Sequence, residues 1–264
     1  MVTRGVDDRF FPKLAEFEQI EKTVEGSIFE ECKKTDRQRT LATYDELFKL
    51  QEQAEYRSVV SFDSKVVTTN YDVAMENYRK WKKLNRSDIS AFRLDQSEGK
   101  FFLDLNQLQN WPSNVRFLKL HGSINYFLRD DGKISLQDSP ESLSDEKFLG
   151  RLMIYPMQEK YVSREPYSSF FRCFKFWLSE SPRIYLAIGY SFRDESINNA
   201  FEDALNEYDD AKMIVVNTNP AKVIQRIVTR LKGGNEKLIP VGAEFGTKDA
   251  IDGIKNAISS ATRA

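Results

Sequence analysis

Histidine occurs once in these 264 residues and cysteine only twice. Cys32 and Cys173 are too few for a disulfide framework or a four-cysteine zinc module, and they read as small apolar side chains kept reduced. An excess of charge is lacking too: 39 Lys and Arg stand against 40 Asp and Glu, a formal net charge of −1. Duplex-DNA binders draw affinity from a basic surplus, so no direct nucleic-acid binding is expected. No apolar run nears the roughly 18 residues of a membrane span. Charged residues at Arg4, Asp7 and Asp8 stand where a secretory leader would begin its apolar stretch. The expectation is a cytoplasmic protein without a membrane segment. What is present, 41 % hydrophobic and 12 % aromatic residues, suffices to bury a sizeable core.

The periodicity predicts one domain over residues 1–264, with residues 1–60 as a helical N-terminal part. Leu14, Phe17, Ile20, Val24, Ile28 and Phe29 recur at helical spacing, as do Leu41, Tyr44, Leu47, Phe48 and Leu50. Short apolar runs follow: Val66-Val67-Thr68-Thr69, Arg116-Phe117-Leu118-Lys119-Leu120, Ile184-Tyr185-Leu186-Ala187-Ile188 and Met213-Ile214-Val215-Val216. Three lead into helices, with Asp72 and Asp194 placed as caps and Pro220 at a first helical position. Leu152 to Tyr155 and Leu238 to Val241 are weaker strands. This alternation predicts an α/β fold, a Rossmann-like, mainly parallel sheet with helices on both faces. Residues 84–112 break the rhythm and read as a hairpin insertion, and Asp131-Gly132 marks a second hairpin. Phe170 to Trp177 interleaves aromatic and basic residues as an amphipathic helix over the sheet would.

In an open parallel sheet, ligands gather beyond the carboxyl ends of the strands. That rule assembles Asn70, Asp72, His121, Ser123, Gly189, Ser191 and Asn217 into one candidate edge. His121 carries the side chain best suited to proton exchange near neutrality. A lone histidine is commonly packed for structure, but the strand end and the following Gly122-Ser123 put both roles on an equal footing. Asn70 can hold a water or a sugar hydroxyl, or close a turn on its own backbone. Helix capping accounts for Asp72. Gly189 and Ser191 suit either a phosphate at a helix start or an ordinary strand-to-helix turn. Asn217 suits a ribose hydroxyl or a turn. No metal cluster is expected, and neither a G-x-x-x-x-G-K-[ST] loop nor a G-x-G-x-x-G after a strand is present.

Three segments carry a family likeness: Thr68-Thr69-Asn70-Tyr71-Asp72, Lys119-Leu120-His121-Gly122-Ser123-Ile124 and Gly189-Tyr190-Ser191-Phe192-Arg193-Asp194. In that order, and followed by Asn217-Thr218-Asn219-Pro220, they resemble the sirtuin-like NAD-hydrolase domains of bacterial anti-phage defence, over residues 61–220. The resemblance implies NAD as substrate, cleaved between nicotinamide and ribose. It makes Asn70 and His121 the catalytic pair and Asp72 their support, with Thr69, Gly189, Ser191 and Asn217 lining the nucleotide. It implies partners that are further copies of the chain or a defence-system protein. Cys173 alone follows His121, so the zinc module of deacetylating sirtuins is not expected. The family's N-terminal strand and Gly-rich loop have no counterpart after Met1. The expectation is an N-terminally truncated form, low in activity by itself or inactive. The alternative is a non-catalytic module that binds NAD or ADP-ribose, or a scaffold.

Overall fold

The computed structural model describes residues 37–50, 64–83, 90–108, 115–137, 148–154, 163–180 and 184–262, together with 27, 28, 30 and 32. Most of the helical pattern between Leu14 and Phe29 lies outside the described residues. In chain order the elements are α1 (Arg37–Lys49), β1 (Ser64–Thr68), α2 (Ala74–Lys82), β2 (Phe92–Asp95), β3 (Lys100–Leu103), β4 (Val115–Lys119), β5 (Gly122–Arg129), β6 (Ile134–Leu136) and β7 (Phe148–Met153). They continue with α3 (Tyr167–Ser179), β8 (Ile184–Ile188), α4 (Glu195–Glu207), β9 (Lys212–Asn217), α5 (Pro220–Ile224), β10 (Leu238–Gly242) and α6 (Lys248–Ala261).

The mainly parallel sheet expected from the strand–helix rhythm is not the one that forms. The largest sheet has five strands, in the order β2-β3-β6-β5-β7, and each of its pairings is antiparallel. Among the described residues, parallel pairing is confined to β1 with β4 and to the three-stranded order β10-β9-β8. The reason lies in the connections. A parallel pair needs a crossover of a dozen residues or more, whereas a tight turn can join only antiparallel neighbours. The turn at residues 96–99 folds β3 back on β2, and the turn at 130–133 folds β6 back on β5 with Phe127 opposite Ser135. Crucially, no helix follows His121: Gly122 starts β5 directly.

Two apolar layers position the strand ends. Along β9, Met213 and Val215 enter one core while Ile214 and Val216 enter another, as the two-residue strand period requires. The second core is closed by Ile254 and Ile258 of α6. The first runs from Leu118 and Leu120 after β4, through Phe170, Phe174 and Trp177 of α3, to Tyr185 and Ala187 of β8. Helix α3 thus joins the two parallel sheets through one core, leaving Arg172, Lys175 and Phe176 on its outer side. On the other face of β1 and β4, Val66 and Phe117 pack with Met75 and Tyr78 of α2.

Candidate functional site

The β1–β4 register sets Thr68 beside Lys119, and Leu120 N–H continues the ladder to the Thr68 carbonyl at 2.9 Å. Asn70 and His121 each follow the last paired residue by two, so they leave neighbouring strands side by side. The 70–72 loop is then fixed to the start of β5. Ile124 N–H and the Ser123 hydroxyl reach the Tyr71 carbonyl, both at 3.1 Å. The Tyr71 phenol donates to the Ile154 carbonyl, and Ile154 N–H donates to the His121 carbonyl at 2.8 Å. Burial pushes the Tyr71 phenol up to about 12, so it remains a donor at neutral pH.

Asn70 is exposed, and its side-chain amide makes no hydrogen bond among the described residues; its backbone N–H takes the Thr68 hydroxyl at 3.0 Å. Thr69 is half-buried beside it. Asp72 is half-buried, and its carboxylate accepts Ala74 N–H, the first of α2, at 2.8 Å. Val73, not Asp72, stands at the cap position of α2, and Asp72 supports the helix start from one residue earlier.

His121 meets a carboxylate from the other parallel sheet: its Nε2 lies 3.2 Å from Asp194 Oδ2. The ring keeps 17 % of its side-chain surface exposed, enough for a ligand to reach it. Asp194 also caps α4 by accepting Ile197 N–H at 3.2 Å, while the Tyr190 phenol donates to its carbonyl. Burial works to raise the Asp194 carboxyl, but the hydrogen bonds from His121 and from the Ile197 and Ser196 amides outweigh it, holding the group below the usual Asp range. A carboxyl lowered by folding stabilises fully above its unfolded pKa, and that contribution is lost as pH falls through the folded value. Asp194→Asn keeps a competent cap and removes the titration. Urea midpoints measured from pH 6 downward should therefore fall less steeply below about pH 4 in the variant than in the wild type. Identical acid slopes would exclude the pair from the pH response.

The nucleotide-lining candidates are placed less uniformly. Gly189 is exposed at a left-handed φ of +64°, at the end of β8. Ser191 is half-buried, with its carbonyl held by Arg226 Nη1 at 2.5 Å. Next to it, buried Phe192 takes the unusual φ of +51° for a side-chain-bearing residue. Asn217 ends β9 and spends its side-chain oxygen on Asn219 N–H at 2.9 Å, which is the turn role. Thr69, Asn70 and His121 thus follow the paired ends of β1 and β4, Gly189 and Ser191 follow β8, and Asn217 ends the adjacent β9; the contact between the two groups is that of His121 with Asp194. A cavity of about 670 Å³ opens elsewhere, against the antiparallel sheet. Phe102, Leu128, Ile134 and Leu152 floor it, Arg93, Lys133 and Glu165 rim it, and none of the candidate residues lines it.

Sequence reasoning read Asp194 only as a helix cap and did not single out Lys119 or Tyr71. Asp194 had a usable signal, since a carboxylate three residues after a strand-end Ser is placed to face the same edge as His121. No three His, Cys, Asp or Glu side chains come together as a metal site among the described residues. No helix among them is long and apolar enough to cross a membrane.

No curated protein matches the chain. The model of the SIR2-like domain matches residues 64–234, from the first residue of β1 to beyond α5 and across every strand-end motif described above. The match covers well over half of the 264 residues, and the chain belongs to the SIR2-like family.

Proposed function

We propose that this SIR2-like chain hydrolyses NAD at the bond between nicotinamide and ribose. The observation that carries the reading is the pairing of its single, accessible imidazole with the Asp194 carboxylate, beside the loop that presents the Asn70 side-chain amide, which has no bond among the described residues.

The reaction asks little acid chemistry of the protein. Ordinary glycoside hydrolysis needs one carboxyl group to protonate the leaving oxygen and a second for the other face of the sugar. Nicotinamide leaves from a cationic nitrogen and departs neutral, so no proton has to be supplied to it. What remains is to stabilise an oxocarbenium-like ribose and deliver water. An imidazole nitrogen facing a carboxylate carries its hydrogen there, so Asp194 fixes the Nε2–H tautomer and leaves Nδ1 as the proton acceptor. In this mechanism Nδ1 of His121 takes the proton from a ribose hydroxyl or from the attacking water, and the Asn70 amide orients that water. Asp72 holds the loop through its bond to Ala74 N–H. Thr69, Gly189 and Ser191 flank the dinucleotide, with Asn217 shaping the adjoining turn.

The family likeness supports a setting in anti-phage defence, acting with further copies of the chain or with a defence-system protein. The test is to titrate NAD calorimetrically while nicotinamide release is followed. Binding with release above a heat-treated control is the expected result. Binding without release would instead favour a module that senses NAD or ADP-ribose. Asp194→Asn should lower kcat by about tenfold or more with little change in KM, because it disturbs a group acting through His121.

A further inference from the structure

Lys119 ends β4, yet only 1 % of it is exposed. A lysine is rarely buried so completely unless its charge is matched. Its Nζ has acceptors on three sides: the Asp72 carbonyl, Ser123 Oγ at 2.6 Å and Glu76 Oε1 at 2.9 Å. Three acceptors use the three hydrogens of an ammonium group, leaving none for a ligand. The rings of Phe117 and Tyr126 stand 5.9 and 5.7 Å from the nitrogen, adding apolar walls with negative faces. The acceptors are themselves tied together. The single Ser123 hydroxyl hydrogen points to Asn125 Oδ1 at 2.6 Å, with the Tyr71 carbonyl a longer alternative acceptor at 3.1 Å, and Asn125 Nδ2 donates to Glu76 Oε1 at 3.5 Å.

We infer that Lys119 is a positioning residue, the buried pin that fixes the Asn70-Tyr71-Asp72 loop against the segment bearing His121. The ammonium holds the Asp72 carbonyl directly and fixes Ser123, whose neighbour Ile124 bonds the Tyr71 carbonyl through its N–H. It therefore restrains the two residues that follow Asn70, whose own amide has no bond among the described residues to orient it. Glu76 supplies the counter-charge from α2, coupling the pin to the helix that the loop begins. Buried ion pairs contribute little net stability compared with apolar replacements. The return on this one is geometric, because a small displacement of a positioning group costs a large factor in rate.

The kinetic consequence rests on the NAD-hydrolysing reading; the structural consequence does not. Lys119→Met alone takes the counter-charge from half-buried Glu76 and lowers the thermal midpoint, so the informative variant is Lys119→Met/Glu76→Leu. Two readouts are taken on the full chain. Amide hydrogen exchange at Asn70, Ala74 and Ile124 should accelerate by about tenfold or more in the double variant, while β9 amides stay protected as in the wild type. With NAD, kcat should drop by about 10²-fold and KM stay within about twofold. Unchanged exchange at these three amides overturns the inference. Wild-type kcat in the stably folded double variant overturns it as well. Faster loop exchange in a chain whose wild type releases no nicotinamide would keep the pin and remove the NAD-hydrolysing reading instead.

Discussion

Replacing His121 by alanine is expected to cut nicotinamide release by about 10²–10⁴-fold while the chain stays folded. The size of the loss follows from scarcity, because His121 is the only imidazole in the chain. The survival of the fold follows from placement. The side chain is partly exposed and belongs to none of the apolar clusters, and Asp194 keeps its bond to Ile197 N–H when the ring is gone. Asn70→Ala should behave alike, with turnover lower by about 10²-fold, because its exposed amide braces nothing in the described structure. Single-turnover nicotinamide release, beside thermal midpoints, checks both. Retained turnover in either variant removes that residue from the mechanism.

The next residue should give the opposite result. Gly122→Ala is expected to destabilise the chain by about 4 kcal/mol or more, a large part of the 5–15 kcal/mol typical of a folded domain. Gly122 has a φ of +81°, and a Cβ there would lie 2.0 Å from the Leu152 carbonyl oxygen and 2.8 Å from its carbon. Both obstacles are backbone of β7, which pairs with Gly122 at Met153, so no side chain can swing aside. Gly189 makes the control. Its φ of +64° is also left-handed, but nothing lies within 4 Å of a Cβ there, so Gly189→Ala should cost only the roughly 1–2 kcal/mol of the backbone conformation. Urea unfolding of the two variants measures the contrast. A Gly122→Ala chain within 1 kcal/mol of wild type would contradict the close approach of β5 and β7.

The contrast between His121 and Gly122 shows how far the residues could be read in one dimension. Local signals were legible. Asp194 caps α4, Asn219 and Pro220 open α5, and the Asp131-Gly132 turn joins β5 to β6. Phe170 to Trp177 lies within α3, whose aromatic side buries Phe170, Phe171, Phe174 and Trp177. Beyond the ends of β4 and β8, His121 and the α4 cap Asp194 come within 3.2 Å of each other, a meeting that the sequence reading did not name. Sheet direction was not legible. The Asp131-Gly132 hairpin was readable, but nothing local shows that its strands join β2, β3 and β7 in one antiparallel sheet larger than either parallel one. Lys119 went unnoticed for a related reason: a lysine at the end of an apolar run carries no local sign of burial. Its burial depends on Glu76 from α2 and Ser123 from β5, contacts that only the folded chain brings together.

With a single histidine, the chain offers an uncrowded view of the site: selective ¹⁵N-histidine labelling yields one imidazole and no other ring signals. The nitrogen shifts of the free protein read the tautomer, and the account predicts Nε2–H facing Asp194. On titration with NAD, the His121 ring signals should move and nicotinamide should accumulate in the same sample. In Asn70→Ala the ring signals should still move, with nicotinamide release suppressed. Ring signals that stay fixed at NAD concentrations saturating the calorimetric binding would contradict the claim that His121 and Asn70 serve one bound dinucleotide.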